Sequence, residues 1–177
     1  NLIEVYPSAG WDMQPHPHSG CQTVPDAADD IGAFAGINGG FFSGACSSDV
    51  MVKADGVLHS TNTMLDWEMR TVGWNSGDTP TFEWIDEGVD WPAVDNALGG
   101  YPSLVTDGVA RAEVYPGETV WSSTDWSANP RTAVGLSDAG DLMMLTLDGR
   151  TGAGDGLTTP ALAELMRDLG AVQAINL

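Results

Sequence analysis

Thr132-Ala133-Val134-Gly135-Leu136, then Ser137-Asp138-Ala139-Gly140-Asp141, then Leu142-Met143-Met144-Leu145-Thr146-Leu147 is the stretch on which the fold turns. Two apolar runs of strand length flank a short polar turn that holds Asp and Gly, which reads as a β-hairpin. A Gly-rich loop, Gly149 to Gly156, leads to Thr159-Pro160, where Thr reads as the helix cap and Pro as the first helical residue. Leu162, Leu165, Met166 and Leu169 recur at i, i+3, i+4 and i+7, the spacing of one buried helix face. Gly170 stops the helix, and Ala171 to Leu177 starts an apolar strand. A hairpin, a helix and a returning strand together call for a sheet with a helix packed on it.

The middle of the chain extends this pattern. Val50 to Lys53 and Val57 to His59 flank Asp55-Gly56, a strong hairpin signal. Thr71 to Asn75 and Thr81 to Ile85 flank Ser76-Gly77-Asp78, and Ser103 to Thr106 and Val109 to Glu113 flank Asp107-Gly108. Asp90 reads as the cap of a short helix through Ala97. Tryptophans 67, 74, 84, 91, 121 and 126 are dense here; most read as core or sheet packing, with sugar stacking as the alternative for one or two. Toward the start, Leu2 to Tyr6 alternates as a strand, Pro7 to Gln22 is a Pro- and His-rich loop, and Thr23 to Ile31 reads as a short helix with Asp26, Asp29 and Asp30 on its wet face. Ala33 to Ile37 reads as a buried strand running into Asn38-Gly39-Gly40-Phe41-Phe42. The expected class is mixed α/β (α+β), strand-rich, with several hairpins and a long C-terminal helix packed on the sheet. One domain spans residues 1–177, since a chain of 177 residues suits one core better than two.

The chemistry is bounded by charge. Against 25 acidic residues stand six cations, Lys53, Arg70, Arg111, Arg131, Arg150 and Arg167, for a formal net charge of −19. Such a surface repels nucleic acid and anionic membranes, and an anionic substrate would need a few well-placed arginines to overcome the field locally. No apolar run reaches the roughly 18 residues of a membrane-spanning helix. Cys21 and Cys46 are the only cysteines; they read as one disulfide of an oxidising compartment, with two buried free thiols as the alternative. His16 and His18 lie near Cys21, but the prolines around them favour an extended loop and the spacing matches no recognised zinc pattern, so neither metal nor cofactor is expected.

Four segments, in order, resemble those of a known family. They are Ala35-Gly36-Ile37-Asn38-Gly39-Gly40-Phe41-Phe42, then Gly99-Gly100-Tyr101-Pro102-Ser103-Leu104, then Asn129-Pro130-Arg131-Thr132-Ala133-Val134-Gly135-Leu136, and finally Leu145 to Arg150 with the helix and strand that run to Leu177. From about residue 30 onward the chain resembles the phosphodiester glycosidase family. The resemblance implies a secreted or extracytoplasmic hydrolase that separates a sugar from a phosphodiester. In the family, Asn-Leu is followed by an Asp-Gly-Gly-Gly-Ser type loop that contributes to the active site; the sequence ends at Leu177. The resemblance therefore implies a second polypeptide segment, beginning at or near that Asp, that completes the site.

Each candidate residue carries an alternative beside its functional reading. Asn38, with Gly39 and Gly40, can form an anion nest that meets the substrate, or a plain strand-end turn with Phe41 and Phe42 in the core. Arg131, following Pro130, can grip a phosphate with its planar fork or hold a structural salt bridge. Asp148 can serve as acid, base or nucleophile in glycosyl transfer, or sit in an Asp-Gly turn paired with Arg150. Asn176 can bond a sugar hydroxyl or cap its strand. Tyr101 and Arg150 complete the expected substrate contacts. Two other functions stay open: a glycosidase acting on unphosphorylated extracellular polysaccharide, and a non-catalytic carbohydrate-binding module of the envelope.

Overall fold

The computed structural model describes residues 1–6, 10, 12–18, 20–64, 67–115, 118–119, 127–151 and 154–177. The chain opens with β1 (Leu2–Val5) and α1 (Val24–Ile31), then a short pair, β2 (Phe42–Ser43) and β3 (Ser47–Ser48). Two hairpins follow, β4 (Val52–Ala54) with β5 (Val57–Ser60) and β6 (Met69–Trp74) with β7 (Thr81–Ile85). Next come β8 (Asn96–Gly99), β9 (Ser103–Thr106), β10 (Val109–Tyr115) and β11 (Glu118–Thr119). The chain finishes with β12 (Arg131–Ser137), β13 (Leu142–Leu147), α2 (Thr159–Asp168) and β14 (Ala171–Asn176).

Two antiparallel sheets carry the fold. One has seven strands in the order β1-β13-β12-β14-β9-β10-β11, the other five in the order β5-β4-β8-β6-β7. The hairpin with which the sequence reading began pairs Arg131 with Leu147 through Leu136 with Leu142. Strand pleating sends alternate residues to opposite faces. Ala133, Met143, Leu145 and Ala174 face α2, where Leu162, Ala163 and Met166 are buried with them. Val134, Leu142, Ile175 and Leu177 face the other way and meet Val72, Trp74 and Phe82 of the five-stranded sheet. The result is three layers: helix, sheet, sheet.

A polar bridge ties the two sheets. Arg70 of β6, 7% exposed, donates from Nη2 to Gln173 Oε1 of β14 at 2.8 Å. Gln173 in turn donates to Asp107 Oδ1 at 2.9 Å, and the guanidinium lies 5.5 Å from the ring centre of Trp84. Burial lowers the Arg70 pKa, and the fields of Glu83, Asp107 and Glu113 oppose that shift. Stacking on an indole and bonding to a neutral amide suit a guanidinium, which is more weakly hydrated than an ammonium.

Several expectations need correction. Ala33 to Ile37 is not a buried strand: it forms no ladder, and residues 33–36 are exposed. Its apolar composition suggested a core segment, yet only Ile37 packs against the core between the sheets, and α1 before it buries no residue. Asp90 to Ala97 is not a helix; Asn96 and Ala97 enter β8, which sits between β4 and β6. Pairing on both sides outweighs local propensity there. The α2 cap is Thr158, whose side chain accepts from the Ala161 N–H, so Pro160 is the second helical residue. That helix is modest, at ten residues, and Leu169 at its end is 36% exposed. Phe42 is 66% exposed and belongs to no core. Trp121 and Trp126 lie outside the described residues. Among the described residues, no helix is long and apolar enough to cross a membrane.

Cys21 and Cys46 form a disulfide, with Cα atoms 5.3 Å apart. The segment they close contains α1 and Asn38 to Gly40 but contributes little to any core, so the covalent closure carries much of its order. Replacing both cysteines by serine is expected to cost about 3 kcal/mol of stability. In amide exchange, the loss of protection should be greatest over residues 21–46 rather than in β12 to β14.

Candidate active site

Antiparallel pairing gathers one end of the seven-stranded sheet from distant parts of the sequence. β12 begins there with Arg131, β13 ends there with Leu147, β14 ends there with Asn176, and β9 begins there with Ser103. Backbone bonds weld the end together: Tyr101 N–H to Asn176 O at 2.8 Å, Asn176 N–H to Pro102 O at 3.1 Å, and Leu177 N–H to Thr132 O at 2.8 Å. Asn176 is 3% exposed, and its Nδ2 donates to Tyr101 O at 2.7 Å. Its Oδ1 is buried and accepts no hydrogen bond among the described residues. Buried polar atoms are nearly always paired, so an unpaired acceptor here signals a place for a donor.

The Asn38 segment docks on this end by a single side-chain bond. Thr132 Oγ1 and Asn38 Oδ1 are 2.5 Å apart, with the hydroxyl donating, and Asn38 Nδ2 donates to Gly39 O at 2.9 Å. Neither Gly39 nor Gly40 takes a positive φ, so the glycine requirement does not come from a left-handed turn. At Gly40 it comes from space: a Cβ would lie 2.6 Å from Gly99 O and 2.6 Å from Val50 Cγ2. Gly100 has the same constraint, with a Cβ position 2.5 Å from Asn176 O and 2.9 Å from Ile175 Cδ1. Phe41 meets the Tyr101 ring edge-on at 6.3 Å. Three stretches of backbone thus approach more closely than side chains permit.

Arg131 starts β12 at the same end. Its Nε donates to Leu157 O at 3.0 Å and its Nη2 to Ser127 O at 2.9 Å. The pleat turns it to the face shared by Ala133 and Asn176, whereas Thr132, which holds Asn38, points to the other face. Asn38 and Arg131 therefore straddle the sheet end from opposite sides. Asp148 is exposed, one residue beyond β13, and takes no hydrogen bond or ion pair among the described residues. Arg150 is also exposed and donates from Nη2 to Asn129 Oδ1 at 2.7 Å, not to Asp148. Asn129 and Leu157 pair as an isolated bridge, strapping the loop that follows Asp148 against the start of β12. Tyr101 and Asn176 are bonded to each other, Gly40 packs beside Gly99, Asn38 is joined through Thr132 on the opposite face, and Arg131, Asp148 and Arg150 follow or begin strands at the same sheet end. Among the described residues, no group of three or more His, Cys, Asp or Glu is placed to hold a metal ion.

The family profile described as phosphodiester glycosidase matches residues 32–177. The chain belongs to the phosphodiester glycosidase family. Two of the solved structures that match share the fold over most of the chain. One is the zebrafish N-acetylglucosamine-1-phosphodiester alpha-N-acetylglucosaminidase catalytic domain auto-inhibited by pro-peptide, at 22% identity and TM-score 0.65 over 79% of this chain and 48% of that one. The other is a hypothetical protein from Synechocystis, at 16% identity and TM-score 0.71 over 100% of this chain and 50% of that one. The chain thus spans about half the length of each. No curated protein sequence matches it.

Two residues of this family member escaped the sequence reading. Thr132 anchors Asn38, and Gly100 lets β14 seat against the segment before β9. Both stood within the quoted motifs, beside Arg131 and Tyr101, but a hydroxyl and a missing Cβ announce nothing until their neighbours are known. Gly100→Ala is expected to destabilise the protein by about 1–3 kcal/mol through overpacking. Thr132→Val should cost about 1 kcal/mol, the worth of one hydrogen bond. Denaturant unfolding of both variants checks the order of these effects.

Proposed function

We propose that the chain forms the core of a hydrolase that releases a sugar from a phosphodiester, with its chemistry at the gathered end of the seven-stranded sheet. The observation that supports this reading is that Tyr101, Arg131, Asp148 and Asn176 come from separate stretches of sequence to one sheet end, with Asn38 joined to it from the other face through Thr132. A phosphodiester needs fixed positive charge, and two of the six cations of a chain at −19, Arg131 and Arg150, stand there. Carbonyl bonds from Leu157 and Ser127 fix the Arg131 guanidinium in place, which suits planar recognition of phosphate oxygens.

The sugar side of the reaction needs carboxylates, because the anomeric carbon gains oxocarbenium character as the bond to oxygen breaks. Asp148, with no partner among the described residues, is the group we assign to that work. The second carboxyl group, which glycosyl transfer commonly uses, we assign to the Asp-Gly-Gly-type loop that the family resemblance implies after Leu177. The buried Asn176 Oδ1 would accept from a sugar hydroxyl or from a donor of that loop. Gly39, beside Asn38 and with open space where a Cβ would stand, would let substrate approach the backbone closely. The disulfide supports an oxidising, extracytoplasmic setting. The name of the zebrafish relative points to an N-acetylglucosamine-1-phosphodiester as the first substrate to try.

The test compares an N-acetylglucosamine-1-phosphodiester with a p-nitrophenyl hexoside that lacks phosphate. Turnover of the phosphodiester is expected. Arg131→Ala should lower kcat/KM on it by about 10²–10³-fold, the usual worth of one charge-stabilising group, and leave the phosphate-free hexoside unaffected. Asp148→Asn should abolish turnover of both. Full activity in Asp148→Asn, or no turnover of any sugar phosphodiester, rejects the assignment.

A further inference from the structure

A second site lies on the outer face of the five-stranded sheet, on the side away from the seven-stranded sheet. A cavity of about 550 Å³ there is lined by Gly73, Asn75, Asp78, Thr81, Glu83 and Trp91, among others. The size falls within the range of small-molecule sites. Register explains its chemistry. Gly73 pairs with Thr81 and Thr71 with Glu83, so these residues share the outer face. Val72 and Phe82 alternate to the inner face, as does Trp84, which stacks with Arg70. Trp74 is buried in the same inner core, and its Nε1 is committed to Met13 O at 2.9 Å. Trp74 and Trp84 also border the cavity, and Trp91 is the indole contributed by the loop between β7 and β8.

Trp91 is held in place from three directions. Lys53, only 4% exposed, donates from Nζ to Trp91 O at 3.0 Å and to Asp90 Oδ1 at 3.1 Å. Asp90 Oδ1 also accepts from the Trp91 N–H at 2.7 Å. Beneath it, Gly73 makes room: a Cβ there would lie 2.5 Å from Trp91 Cζ3. Asn75 ties down the far end of the same loop by accepting from the Asp95 N–H at 2.9 Å, and its Nδ2 donates to Asp78 Oδ2 at 3.2 Å. Trp91 is half-buried: part of it packs against Met51, Val94 and Ala97, and the rest borders the cavity.

We propose that this groove is a binding subsite for a neutral oligosaccharide, separate from the sheet end where hydrolysis is assigned. A pyranose offers an apolar C–H face to stack on an indole and a rim of hydroxyls to bond carboxylates and amides. Trp91 supplies the platform; Glu83, Asp78 and Thr81 supply the polar rim. No lysine or arginine lines the groove, so its carboxylates repel phosphate and other anions. The subsite would hold a neutral stretch of glycan on a face of the protein remote from the arginines.

Indole N–H resonances of ¹⁵N-labelled protein read the proposal directly. Cellohexaose and N-acetylchitohexaose, each titrated to about 10 mM, are the probes, with glucose 1-phosphate and tetramethylammonium as charged controls. At least one hexasaccharide is expected to shift the Trp91 indole signal, while both controls leave it in place. Trp91→Ala should abolish saturable binding. Glu83→Ala, an exposed change that leaves the core intact, should weaken it by about fivefold, one hydrogen bond's worth. Silence with both hexasaccharides, unchanged binding in both variants, or a response to tetramethylammonium instead overturns the subsite. Because binding is read without turnover, this result and the hydrolysis assay succeed or fail separately.

Discussion

The seat of β14 between β12 and β9 is the constraint from which the rest of the architecture follows. Its Ala174 faces α2 while Ile175 and Leu177 face the five-stranded sheet, so one short strand supplies both cores. Its end is bonded on both sides, to the Tyr101–Pro102 backbone and to Thr132. This needs a missing Cβ at Gly100, against the Asn176 carbonyl, and another at Gly135, whose built Cβ would lie 2.7 Å from Met166 Cε. Backbone packed this closely has little room to shift. The side chains it carries, Asn176 above all, are correspondingly fixed.

The N-terminal third depends on the same seat but contributes little to it. α1 buries no residue, and the segment up to Gly40 is held by one disulfide, by the Thr132–Asn38 bond, and by the fit of Gly40 against Gly99. Beside these polar and covalent attachments, β1 pairs with β13, and Val5, Met13 and Ile37 pack against the core between the sheets. An element attached in this way can be positioned accurately at a few atoms while the chain around it remains exposed. That arrangement suits a segment that presents groups to a ligand rather than one that stabilises the fold.

Electrostatics sorts the six cations into distinct tasks. Arg70 and Lys53 are buried and structural: one stitches the sheets through Gln173, the other clamps the Trp91 loop through Asp90. Arg167 and Arg111 pair with acids two residues away or fewer. Arg131 and Arg150 remain at the sheet end, bonded to carbonyl and amide oxygens. In a strongly acidic protein, two guanidinium groups at one edge offset the acidic field there more than a dispersed arrangement would.

Hairpins with Asp-Gly turns, the 3.6-residue face of α2 and the pairing of two lone cysteines were legible because each rests on local chemistry: a turn needs particular residues, a helix a particular period. Asn38, Arg131 and Asn176 were legible as candidates for a different reason, the resemblance of their motifs to a family. Failures came where local pattern and global context parted. Ala33 to Ile37 is apolar but places only Ile37 against a core, and Asn96 and Ala97 follow a helix-like cap yet complete a sheet. Nothing in the sequence says that Thr132 reaches back to Asn38, 94 residues away, or that Trp91 rests on Gly73. By itself, then, the sequence determined which segments form hairpins and which helix covers them, because those outcomes depend on neighbours along the chain. Which side chains meet across 90 residues or more, and on which face of a sheet each guanidinium and indole emerges, only the tertiary structure decided, because pleat and register assign faces once strands have found their partners.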